Sequence, residues 1–133
     1  KKELGYNLKI KSLPFKERLL SMTQKTFEIV LAGWSGDFND ALSYMDLWVT
    51  DGGNNHTSYS NPKYDELIET AQTSPDQKAR IQAMIEAEKL LGDDMPIGML
   101  YYRQRMALVN PRLKDMKFKP VGSEYYLTDA HVE

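Results

Sequence analysis

The run Phe27-Glu28-Ile29-Val30-Leu31-Ala32 leads directly into Gly33-Trp34-Ser35-Gly36-Asp37-Phe38-Asn39-Asp40. Its first half is nearly continuous in apolar and β-branched residues, as in a strand covered on both faces. Upstream, Tyr6, Leu8 and Ile10 alternate with Asn7, Lys9 and Lys11, the period of a strand with one buried face. Between the two, Pro14 fits a first helical position, and the spacing of Phe15, Leu19 and Met22 places them on one helix face. Strand, helix and strand in succession predict a βαβ unit. The fold class that follows is α/β, with a sheet flanked by helices.

Downstream the helix signals are stronger. Asn61-Pro62 offers a capping side chain followed by proline in the first turn, ahead of an apolar stripe of Tyr64, Leu67, Ile68 and Ala71. Ser74-Pro75-Asp76-Gln77 reads as a cap, a proline at the first helical position, an acid for the positive helix end and a capping-box glutamine. The long helix it opens carries Ile81, Met84, Ile85 and Leu91 on one face and is expected to stop at Gly92. Ile97 to Val109 is apolar and aromatic enough for a strand, and Tyr125 to Val132 is a weaker strand candidate. At the other end, Lys1 to Leu4 before Gly5 resembles the end of a helix, so the sequence reads as cut from something longer.

A chain of 133 residues can bury one core, and neither an internal repeat nor a low-complexity linker divides it, so residues 1–133 read as a single domain. Hydrophobic residues at 41% and charged residues at 27% are globular usage, which disfavours a disordered chain. A net charge of -2 removes the attraction on which nucleic-acid and anionic-membrane binders rely. With no cysteine, disulfide scaffolds, thiolate nucleophiles and thiolate metal sites are excluded. No stretch approaches the roughly 20 apolar residues of a membrane span.

Chemistry concentrates where the buried run ends. In open α/β sheets ligands bind outside the carboxyl ends of the strands, where loop backbone groups and helix N-termini converge. Gly33 and Gly36 let the backbone turn tightly or approach a ligand, and Trp34 offers a broad surface with one N–H donor. Asp37 beside Trp34 suits an ammonium group, because cation–π attraction and a charge-assisted hydrogen bond then act together. The alternative is a core tryptophan followed by a turn whose aspartate is solvated or caps a helix.

Catalytic and metal readings are weaker. His56 and His131 lie far apart with no metal-ligand spacing, Ser35 lacks the Gly-x-Ser-x-Gly setting of a nucleophile, and Asp93-Asp94 read as loop acids facing water. Asp51-Gly52-Gly53-Asn54-Asn55 is a turn-rich loop rather than a phosphate loop, and Tyr101-Tyr102-Arg103 reads as a packing edge. The sequence therefore points to no catalytic residue, metal or cofactor.

Several segments together resemble one family. Phe27-Glu28-Ile29 leading into Ala32 to Asp40, then Asn54-Asn55, Tyr59 to Asp65, Ala87-Glu88-Lys89, Met95-Pro96-Ile97 and Leu100-Tyr101-Tyr102 follow the order and spacing of the bacterial extracellular solute-binding proteins of ABC peptide importers. The resemblance runs from about Leu4 to Pro111. It implies a periplasmic-binding-protein type II lobe, much of the C-terminal one of two lobes that close on an extended peptide. The implied partners are an oligopeptide, the N-terminal lobe of the same protein and the importer's permease subunits, outside the cytoplasm. The resemblance also implies that Asp37 holds the peptide's α-ammonium and that Trp34 stands beside it, with Gly33, Ser35, Gly36 and Phe38 completing the site. Some members carry arginine where this chain has Leu31, a departure that bears on recognition of a ligand carboxylate. Related receptors accept nickel complexes, haem or oligosaccharides, and a peptide sensor or interaction domain is the other alternative. An enzyme using Asp37 and Asp40 as a hydrolase is a further class, and no turnover is expected of it.

Overall fold

The computed structural model describes residues 5–104, 106–119, 121 and 125–133. The chain divides into two compact units, Lys1–Leu31 and Ala32–Glu133. The helix end expected at residues 1–4 lies outside the described residues.

In the first unit, Pro14 stands as the N-cap of α1 (Phe15–Thr23), one position before its expected place. Arg18 reaches back to donate to the Leu31 carbonyl at 2.8 Å. Neither flanking segment forms a strand. Residues 6–11 and 27–31 are extended or bent without ladder partners, and Leu8, Ile10, Ile29 and Leu31 are exposed. The predicted βαβ unit is therefore present only as its helix. Alternation sets which face of a strand is apolar, but a strand exists only where a neighbour completes its hydrogen bonds.

The second unit is built on α3 (Pro62–Thr73) and α4 (Gln77–Asp94), with a short α2 (Leu42–Met45) continuing into a 3₁₀ turn at Asp46–Trp48. Tyr64, Ile68 and Ala71 of α3, Ala83 and Ala87 of α4 and Leu42 of α2 form the buried core, and the alanines allow the helices to approach closely. Asn61 caps α3 as predicted, its side chain accepting from the backbone of Lys63 and Tyr64, with Pro62 in the first turn. The α4 cap is Asp76 rather than Ser74, and the helix passes Gly92 to end at Asp94 with Met95 in the left-handed conformation. Nothing at Gly92 requires that conformation, and Asp94 after it is held as described below.

Residues 97–104 and 106–109 also lack ladder partners, against the predicted strand. The strands that do form among the described residues are two-residue pieces in two antiparallel pairs. β1 (Leu113–Lys114) pairs with β4 (His131–Val132), and β2 (Lys117–Phe118) with β3 (Tyr125–Tyr126). The weak strand candidate near the C-terminus thus resolves into β3 and β4.

Two polar clusters fix the loops around the core. Buried Asn55 donates to the carbonyls of Val49 at 2.9 Å and Tyr59 at 2.7 Å, while its own oxygen accepts from Thr57 and the Tyr59 amide. Asp94 accepts from the Tyr59 hydroxyl at 2.7 Å and the Asn61 amide at 2.8 Å, so this acid, exposed to water as predicted, also fastens the end of α4. Burial, reinforced by that carboxylate, pushes the Tyr59 phenol up to about 12.

Candidate functional site

The loop after Ala32 is folded around α2. Asp40 starts that helix, accepting from the Leu42 amide at 2.9 Å, and its other oxygen takes a 2.6 Å ion pair from Arg80 of α4. The backbone bond to Leu42 holds the Asp40 carboxyl below its ordinary value, and Arg80 adds to this. Asp40 is thus occupied with structure. Its lowered value contributes stability that is present above the unfolded value and lost as the pH falls through the folded one. Asp40→Asn is expected to cost on the order of 1 kcal/mol near neutral pH, with the difference from wild type shrinking below about pH 4. Urea unfolding at stepped pH checks this, and a difference that stays constant down to about pH 2 would remove the charge of Asp40 from the account.

Ser43 is a buried polar residue of α2. Its hydroxyl accepts from the Asp37 amide at 2.6 Å and from the Phe38 amide at 3.5 Å, while its carbonyl accepts from the Trp34 indole N–H at 2.8 Å. Next to it, the Tyr44 hydroxyl accepts from the Gly36 amide at 3.0 Å. Gly36 is buried against that ring, and a Cβ there would lie 3.0 Å from Tyr44 Cε2, which is why the position is glycine. The backbone amides and the indole are therefore tied inward, and the side chains of Asp37 and Phe38 remain outside.

Trp34 is 44% exposed, with its N–H satisfied and part of its surface open. Asp37 is exposed, and among the described residues no hydrogen bond or ion pair engages its carboxylate. It does influence Asp46, whose carboxyl is raised above its ordinary value, first by burial and then by the charge of Asp37. Phe38 is half exposed, and Ser35 is exposed. Gly33 is open too, and a Cβ there would sit 3.9 Å from the Arg103 guanidinium carbon.

The structure thus gathers Trp34, Gly36, Asp37 and Phe38 on one anchor, with Gly33 and Ser35 on the same loop but outside its hydrogen bonds. Sequence reading missed the anchor, Ser43 and Tyr44. The available signal was a small polar residue beside Leu42 in an apolar turn, three residues after Asp40. His131 has Asp115 at 3.5 Å and Glu133 at 3.9 Å, and no cluster able to hold a metal occurs among the described residues.

No family model matches the chain. A dipeptide-binding protein of Lactococcus lactis is 29% identical over 97% of this chain and 24% of its own length. The solved structure of the pheromone receptor PrgZ superposes with a TM-score of 0.83 at 27% identity, covering 98% of this chain and 25% of the receptor. Listeria monocytogenes OppA, solved with peptide bound, is 34% identical over 92% of this chain and 23% of its own, with a TM-score of 0.76. The chain is a relative of bacterial oligopeptide- and dipeptide-binding proteins.

It spans about a quarter of the length of the curated oligopeptide- and dipeptide-binding proteins it matches. The fold is that of the α/β, type II-like periplasmic binding proteins, although the described residues of the strands expected at 6–11, 27–32 and 97–109 are unpaired here. Relatives from Salmonella typhimurium and Escherichia coli are named as periplasmic, and all these relatives are named as binding proteins rather than enzymes. Among the described residues no helix is long and apolar enough to cross a membrane.

Proposed function

We propose that residues 1–133 are much of the C-terminal lobe of a receptor that captures extracellular oligopeptides for an ABC importer, without catalysis. Asp37 takes the ligand's α-ammonium, Trp34 flanks it, Gly33, Ser35 and Phe38 line the approach, and Gly36 packs behind them against Tyr44. The permease and the N-terminal lobe are its protein partners, and it works outside the cytoplasm. The observation that carries this reading is the exposed Asp37 carboxylate, unengaged among the described residues, on a loop whose amides are already bound. The kinship with peptide-binding proteins supplies the class of ligand.

An extended peptide adds affinity through its main chain, independent of side chains, so specificity is broad while the charged end sets polarity. Calorimetry on the full-length receptor tests this with one tripeptide and its N-acetylated form. The free amine is expected to bind tighter by roughly tenfold or more, as for a charge-assisted hydrogen bond. Equal affinities would overturn the ammonium site, and binding of an oligosaccharide, haem or nickel complex in place of either peptide would overturn the ligand class.

A further inference from the structure

We infer that Ser43 is a positioning residue for ligand specificity, holding the Asp37 carboxylate where an ammonium group meets it. This rests on the proposed peptide reading. Three bonds end on this one residue. Its hydroxyl accepts from the Asp37 amide at 2.6 Å and from the Phe38 amide at 3.5 Å, and its carbonyl accepts from Trp34 Nε1 at 2.8 Å. The acid and the aromatic surface beside it therefore take their placement from the same buried point.

That point is itself fixed. Ser43 lies in α2 between Leu42, whose amide is held by Asp40, and Tyr44, whose hydroxyl accepts from Gly36. Arg80 ties Asp40 to α4, so the chain of contacts runs from the core helix to the Asp37 backbone without a gap. An exposed carboxylate on an untethered loop samples many positions, and ordering it on binding costs affinity; a tether at its own amide removes part of that cost in advance. Removing the hydroxyl leaves the Asp37 and Phe38 amides without their partner and frees the turn. The Trp34 bond goes to the backbone of Ser43, so it survives substitution and the effect falls on the acid.

The test uses the full-length receptor with a free-amine tripeptide and its N-acetylated form, comparing wild type, Ser43→Ala, Ser43→Thr and Asp37→Ala. Ser43→Ala is expected to weaken free-amine binding by about fivefold to tenfold and to leave the acetylated peptide nearly unchanged, while Ser43→Thr, which keeps the hydroxyl, recovers most of the loss. If Asp37→Ala abolishes the preference for the free amine and Ser43→Ala leaves it intact, Ser43 is no positioning residue and the peptide reading stands. If Asp37→Ala leaves the preference intact, the reading beneath both falls. Equal weakening of both peptides by Ser43→Ala, with lowered thermal stability, assigns Ser43 to folding alone and overturns the inference.

Discussion

Replacing Tyr64 with alanine is expected to destabilise the chain by about 3–5 kcal/mol, the range for truncating a large buried aromatic side chain. Tyr64 is wholly buried in the centre of the helical core, its ring meeting Tyr59 edge-on at 5.5 Å. Its hydroxyl donates to the Met45 carbonyl at 2.6 Å, which joins α3 to the last residue of α2. Burial first, and the neighbouring Tyr59 next, push the phenol well above its ordinary range, so it stays a donor at any working pH. Tyr64→Phe separates the two contributions. It keeps the ring and leaves the Met45 carbonyl short of a donor, at an expected cost of about 1–2 kcal/mol. Urea unfolding of the three proteins measures both. Since whole domains are stable by roughly 5–15 kcal/mol, the alanine variant loses a large share of the total, and a loss under about 1 kcal/mol would show that the core does not centre on this residue.

How far the fold is legible in the sequence depends on whether an element carries its own hydrogen bonds. The helices do. Asn61-Pro62 sets the start of α3, and the stripe of Tyr64, Ile68 and Ala71 becomes its buried face. The boundaries of α4 shift because two residues compete for the cap. Ser74 hydrogen-bonds with Asp76, leaving Asp76 to cap the Lys78 amide. The strand candidates do not carry their own bonds. Ile10 at 95%, Tyr102 at 94% and Met106 at 95% exposure keep strand-like composition with no ladder beside them. Composition specifies which side chains favour a sheet, while pairing depends on a partner segment that periodicity cannot name.

The site divides in the same way. Asp37 and Trp34 are conspicuous because an acid, an aromatic residue and two glycines occur within a few positions at the end of an apolar run. Ser43 is inconspicuous because a serine hydroxyl gains meaning only from what folds against it. Asp40 shows the reverse error, since its proximity to Asp37 suggests paired acids, whereas the ion pair with Arg80 and the bond to Leu42 commit it to holding α2. Asp46, six residues further on in the sequence than Asp40, is the acid that responds to the Asp37 charge.

Asp37→Ala in the full-length receptor is expected to weaken free-amine peptides by about 2–5 kcal/mol, the usual loss when one member of a buried charge pair is removed and the other stays unpaired. The exposure of Asp37 in this chain does not contradict a buried pair in the complex. A ligand that covers the carboxylate strips water from both charges at once, and their attraction strengthens as the surroundings dry. Asp40 is no partner of equal strength for the peptide's ammonium, because it is committed to Arg80. Asp46 has its carboxyl raised in part by the Asp37 charge, so Asp37→Asn is the more telling variant. It keeps the shape and an acceptor oxygen, removes the charge, and relieves Asp46 of a like-charged neighbour. Free-amine peptides should lose affinity with Asn by less than with Ala, while N-acetylated peptides should bind all three proteins nearly alike. Calorimetry reads the split directly. Equal losses for acetylated and free peptides in Asp37→Ala would place the effect in loop geometry rather than in charge, and the ammonium site would have to be sought elsewhere.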